Sequence, residues 1–178
     1  ASLCLVCWTI SMDASYTRRI MNELTLSVII PVYNEERTIS SIIEIVRTWG
    51  KASEIIVVND GSTDKTDAAL KHFHRAITLL SRKVNKGKGY SMAQGVRAST
   101  GELIMFLVCD VVGLTHKDLD TMISPVIQGK ADMIIAATNC WGAGSFEPFN
   151  SINGERVLWR KNIKDHLEKF VNVGNGVE

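Results

Sequence analysis

Residues 101–110, GELIMFLVCD, constrain the fold more than any other part of the chain. Residues 103–109 are an unbroken apolar run of strand length, bounded by Gly101 and Gly113. A run this short, with no polar alternation, reads as a strand buried on both faces, which requires helices on both sides of a sheet. Asp110 then stands at the carboxyl end of that strand, where open α/β sheets bind their ligands.

The rest of the chain repeats this pattern. Residues 26–31 (LSVIIP) form a first short β-branched run that Pro31 ends. From Thr38 to Trp49, the spacing of Ile39, Ile42, Ile43 and Val46 predicts a helix stopped by Gly50. Residues 54–58 (EIIVV) form a second strand. Asp64 and Asp67 read as an N-cap and its N3 acid, opening a helix to about His74. Residues 77–80 are a third strand, and NKGKG (85–89) opens a helix over 90–98. Thr115 and Asp118 form a capping pair for a helix over 117–127, and residues 132–137 are a fifth strand. Residues 155–167 are predicted helical. Strands and helices alternating with short connections imply an α/β fold, a doubly wound, mostly parallel sheet. Residues 1–23 follow no period and read as a poorly ordered extension. Residues 24–178 then form one domain. It stops at GNGVE without a closing element, so a C-terminal truncation is expected.

Several classes are set aside by composition. A net charge of +1 without a basic stripe gives no nucleic-acid footprint. No apolar stretch is long enough to span a bilayer; the longest, residues 3–10, lacks a basic flank and a cleavage site. Cys4 and Cys7 form a lone C-x-x-C with no second pair, so they read as apolar tail residues rather than zinc ligands. Scattered free cysteines are reduced-compartment usage, and the expected location is cytoplasmic. His72 and His74, at i and i+2, do not face each other on a helix and read as surface residues.

The sheet brings the loops after three strands, 31–36, 59–64 and 110–113, to one edge. The NKGKG loop joins them at a helix start, where backbone N–H groups and the helix dipole favour an anion. That edge carries the carboxylates Glu35, Asp60 and Asp110 beside Lys86 and Lys88. A nucleotide diphosphate bridged by a divalent cation satisfies both signs of charge.

The segments SVIIPVYNEERTI, EIIVVNDGSTDKT, NKGKGYSMAQGV and GELIMFLVCD, in this order and spacing, resemble family 2 glycosyltransferases of the GT-A fold. Within that family the motifs are most similar to enzymes of the dolichol-phosphate mannose synthase and glucosyl-3-phosphoglycerate synthase kinds. The resemblance implies that Pro31, Tyr33 and Glu35 line a nucleotide pocket, with Asp60 at the base, Lys88 near the diphosphate and Gly61 also among the nucleotide-binding residues. It implies that Asp110 is the last acid of the D-x-D motif and binds Mg²⁺ or Mn²⁺. Gly154, Glu155 and Arg156 resemble an acceptor-side G-x-R segment, and Glu178 the acid of a later acceptor-side motif. One position departs from the pattern: Val108 stands where the first acid of D-x-D is expected.

The leading expectation is therefore a metal-dependent transferase moving a sugar from a UDP- or GDP-linked donor to an acceptor hydroxyl or phosphate, with Asp110 and Glu178 as catalytic residues. Inversion at the anomeric carbon is implied by the resemblance alone. The acceptor is open among a lipid phosphate, a small acid and a glycan, and peripheral work at the cytoplasmic face of a membrane is compatible with it. The alternative is a nucleotide-sugar-binding fragment or degenerate relative with little catalysis. A nucleotidyltransferase is disfavoured, because the first loop is Pro-Val-Tyr-Asn-Glu rather than G-x-G-x-R.

Overall fold

The computed structural model describes residues 3–4, 24–111, 113–138 and 152–172. Its strands are β1 (Leu3–Cys4), β2 (Leu26–Val32), β3 (Glu54–Asp60), β4 (Thr78–Arg82), β5 (Leu103–Phe106), β6 (Met133–Thr138) and β7 (Ile152–Trp159). Its helices are α1 (Ile39–Trp49), α2 (Thr66–Lys71), α3 (Lys88–Ala98), α4 (His116–Ile127), α5 (Arg160–Lys164) and α6 (Leu167–Asn172). They form one seven-stranded sheet in the order β1-β6-β7-β5-β2-β3-β4.

Strands β4, β3, β2 and β5 are parallel neighbours. In β2, Val28, Ile30 and Val32 enter one apolar layer with α1 and α4, while Ile29 enters the other with α3. Both faces of the sheet are covered by apolar layers, which is why β2 and β3 read as continuous apolar runs. Helix α1 is rich in isoleucine, a middling helix former. Each buried Ile39, Ile42, Ile43 or Val46 contributes about 2 kcal/mol, against a propensity cost of a few tenths. Packing decides that helix. On the other face α3 lies close to β2, since a Cβ on Gly95 would collide with the Ile29 side chain.

Three expectations need correction. The predicted helix over 155–167 is instead the end of β7 followed by two short helices. Val157 and Leu158 are buried, and β7 wedges antiparallel between β5 and β6. The even mix of charged and apolar residues there fits either period, and the vacant sheet edge of β5 selects the strand. Asp64 is not the N-cap of α2, which starts at Thr66 and ends at Lys71, short of His74. The central strand ends at Phe106, and residues 107–110 leave the ladder while Leu107, Val108 and Cys109 remain buried.

The Thr115–Asp118 pair does form a capping box, with Thr115 N–H donating to Asp118 Oδ2 at 2.9 Å. Of the residues read as an N-terminal extension, Leu3 and Cys4 pair with Thr138 and Ala137 at the sheet edge. Among the described residues no helix is long and apolar enough to cross a membrane.

Candidate functional site

The loop after β2 is fastened to the loop after β3. Asn34 adopts φ 56°, a left-handed conformation that Asn tolerates better than most residues. Its N–H donates to Ser62 Oγ at 3.0 Å, and its Oδ1 accepts from Thr63 N–H at 2.8 Å. Glu35 N–H donates to Thr66 Oγ1 at 2.8 Å, and Lys65 N–H donates to Glu36 Oε2 at 2.9 Å. The Thr38 hydroxyl donates to Glu35 Oε2 at 2.5 Å, which ties that carboxylate to the start of α1. Asp64 accepts from Glu36 N–H and Thr66 N–H. Burial works against its charge, but these bonds and the Thr66 hydroxyl hold its carboxyl below the usual range.

The same β3 loop is clamped to the lysine loop. Asp60 is 3% exposed, and its Oδ1 accepts from Lys86 N–H at 2.9 Å and pairs with Arg82 Nη1 at 3.4 Å. Gly61 has φ +75°, and a Cβ there would stand 2.9 Å from Asn85 N and from the Val84 carbonyl carbon. Only glycine meets both demands, so the sequence NDG is needed for contact between the two loops as well as for the turn. Asn85 Oδ1 in turn accepts from Gly87 N–H at 2.8 Å. Lys88 is the first residue of α3 itself, so its ammonium and the free N–H groups of the helix start belong to one feature.

These elements enclose a cavity of about 260 Å³. Pro31, Tyr33, Glu35, Asp60, Lys88 and Asp110 all line it. Gly61 is not among the residues that line it. Asn85 and Ser91, which the motifs do not single out, also line it. Asp110 is exposed at the mouth, and Val108, 7% exposed, supplies apolar wall. Between them Cys109 is buried, and desolvation together with the charges of Glu35 and Asp110 pushes its thiol up to about 12, so it stays protonated.

Strand β7 carries the middle residue of the G-x-R segment, Glu155. Glu155 is 3% exposed, and neither carboxyl oxygen has a hydrogen-bond partner from another residue. It lies one position beyond the last β5–β7 pair, Phe106 with Arg156, toward the carboxyl edge of β5. Burial lifts its carboxyl to about 7. Its own amide, Lys88 and Arg156 pull that value down, and Asp110 pushes it up.

Residues 27–175 match the sequence pattern of Glycosyl transferase family 2. The chain belongs to this family.

Among curated relatives of this glycosyltransferase chain, a glucosyl-3-phosphoglycerate synthase of Mycolicibacterium smegmatis is 32% identical over 130 residues, covering 68% of this chain and 40% of the relative. A dolichyl-phosphate beta-glucosyltransferase of Trichomonas vaginalis is 33% identical over 161 residues, covering 84% and 45%. The chain thus spans less than half the length of these relatives. The crystal structure of glucosyl-3-phosphoglycerate synthase from Mycobacterium tuberculosis with Mn²⁺, UDP and phosphoglyceric acid superposes with a TM-score of 0.69 at 21% identity, covering 86% of this chain and 62% of that one. The fold is that of a GT-A glycosyltransferase.

Arg156 is not among the residues that line the cavity. Gly154 lies in β7, and Arg156 pairs in register with Phe106 on one side and Ile135 on the other. Glu178 lies outside the described residues. A helical reading of 155–167 hides the burial of Glu155, because it gives that acid no distinct face. Read with a period of two, GERVLW puts a lone acid among apolar strand positions, and that is the signal of its burial.

Proposed function

We propose that residues 24–178 are the nucleotide-sugar-binding part of a catalytic domain that transfers a hexosyl group from a uridine diphosphate sugar to an acceptor hydroxyl or phosphate. The observation that carries this is the single cavity edge on which Asp60, Lys88 and Asp110 meet. Relatives named for phosphoglycerate and for dolichyl phosphate support an anionic acceptor, a small acid or a lipid phosphate. A lipid acceptor would put the protein at a membrane face, with the chemistry on the cytoplasmic side.

Among the described residues no group of three or more His, Cys, Asp or Glu is placed to hold a metal ion. That donor set suits a cation bound through one carboxylate and the substrate's own phosphate oxygens, as Mg²⁺ usually is. Asp110 would hold it, with Mn²⁺ or Mg²⁺ neutralising charge on the leaving diphosphate when bound. The chain's own groups do the rest. Lys88 and the start of α3 attract the diphosphate. Asp60, already bonded to the lysine loop, orients the base side of the pocket. The buried wall of Val108 and Cys109 excludes water from beneath the reacting centre. Gly154 and Arg156 flank the acceptor side, and Glu178 is the candidate base there.

The test is calorimetric UDP binding with and without Mn²⁺, beside a UDP-hexose hydrolysis and transfer assay. Mn²⁺-dependent UDP binding with turnover is expected. Loss of the first D-x-D acid removes a charged contact worth about 1.5–3 kcal/mol, so Val108→Asp should tighten UDP·Mn²⁺ binding roughly tenfold or more. UDP binding without turnover, unchanged in Val108→Asp, would leave a binding module. No UDP binding at all would overturn the proposal.

A further inference from the structure

A second cavity, of about 410 Å³, is lined by the edge strand β4, the lysine loop and α3. That volume is in the range of small-molecule sites. The two cavities share no lining residue, and their charge differs. The first sets Glu35, Asp60 and Asp110 against Lys88, so it takes a diphosphate together with a metal ion. The second is lined by Arg82, Lys83 and Lys86, and by no Asp or Glu among the described residues. Lys86, expected on the first edge, thus serves this cavity instead. The whole chain carries a net charge of only +1, so the excess here is local.

The cations are gathered rather than spread. Arg82 Cζ lies 4.3 Å and Lys86 Nζ 4.8 Å from the centroid of the same Tyr90 ring. Each is attracted by the ring, but two like charges on one ring repel each other. Their compensation by acids is incomplete. Arg82 Nη1 is 3.4 Å from Asp60 Oδ1 yet is buried without a hydrogen bond. Lys83 and Lys86 are exposed and form no ion pair among the described residues. An anion placed among the three supplies the missing counter-charge. Leu80 and Val84 add an apolar side for the carbon skeleton that such an anion carries.

We infer that this cavity is a second anion site, which binds the phosphate monoester group of a ligand other than the nucleotide. A carboxylate brings one charge and two oxygens. A phosphate monoester brings about two charges and three acceptor oxygens, which matches one guanidinium fork and two ammonium groups. A nucleic-acid strand would need such cations along a stripe, and the sequence has none. The inference does not depend on what occupies the first cavity.

The test is a calorimetric titration of inorganic phosphate into the full chain, alone and with UDP and Mg²⁺ present. It is run on the wild type, on Lys83→Gln/Lys86→Gln and on Lys88→Gln. Saturable phosphate binding is expected that changes less than about twofold with UDP·Mg²⁺ or in Lys88→Gln, and that weakens about tenfold or more in the double variant. Lys83→Gln alone should cost about threefold, and it carries the test if the double variant melts early. No saturable binding in the wild type would overturn the inference. Binding that UDP displaces, or that Lys88→Gln abolishes, would overturn it too, because that phosphate sits in the first cavity. Failure of UDP to bind counts against the nucleotide-sugar reading alone, since the variants still locate the phosphate. Sedimentation with phosphatidylcholine vesicles, with and without phosphatidic acid, identifies the source. Pelleting that needs phosphatidic acid and is lost in the double variant supports the site with a lipid headgroup as its ligand. Phosphate binding without pelleting supports it with a soluble phosphorylated molecule.

Discussion

The two sides of the cavity are built differently. On the β2–β3–β4 side, every loop holds its neighbour: Asn34 with Ser62 and Thr63, Glu36 with Lys65, Asp60 with Lys86 and Arg82. On the β5–β7 side, Asp110 is exposed, Val108 is apolar and Glu155 is buried with no partner for its carboxyl oxygens from another residue. The first side is preorganised, so an incoming nucleotide meets groups already in position and little ordering entropy is lost. The second side leaves polar capacity open at a cost in folding free energy, which is how functional sites differ from structural ones.

That contrast can be broken at several points. Asp110→Ala removes the exposed acid of the open side without touching the packed side. Transfer or hydrolysis of UDP-hexose should fall about a thousandfold, roughly 4 kcal/mol of barrier, with the melting temperature unchanged. Gly61→Ala attacks the packed side, adding left-handed strain and pressing a methyl against the lysine loop. The expected loss is about 3 kcal/mol of stability by denaturant titration, with UDP binding weakened in parallel.

Glu155 gives the open side a pH signature. Its carboxyl rises from 4.5 to about 7 on folding, so the folded chain binds the extra proton between those values. Stability from this group is thus present at low pH and falls as pH rises through about 7. Glu155→Gln should therefore be about 2 kcal/mol more stable relative to wild type at pH 8 than at pH 4, measured by urea melts at both. A pH-independent difference would mean that the carboxyl is not buried in this way. The smallest effect is a control remote from both sides. Thr115→Ala removes the capping box of α4 and should cost about 1 kcal/mol while leaving UDP affinity unchanged.

The packed side is legible in the sequence. Its residues lie in short contiguous motifs, PVYNEE, NDGSTD and NKGKG, whose turn chemistry is local, and the parallel topology alone brings them to one edge. Six of the predicted residues line one cavity for that reason. The open side is legible to a lesser degree. Asp110 stands out because it ends an unmistakable apolar run. Glu155 and Arg156 are marked by a motif, but their strand is not legible, because a short run of mixed charged and apolar residues satisfies both the helical and the strand period.

The sequence by itself determined the buried strands, the order of the loops along the edge and the family motifs, since each depends on residues close together in the chain. It also carried the departure at Val108. Only the tertiary structure decided that 152–159 becomes an antiparallel strand between β5 and β6, because a vacant ladder of backbone groups outweighs a weak local preference. That pairing buried Glu155 within the electrostatic influence of Asp110 and Lys88, as the packing of β3 on β4 brought Gly61 against Asn85. Those contacts join residues far apart in sequence, where burial and backbone fit set the geometry and no local pattern records it.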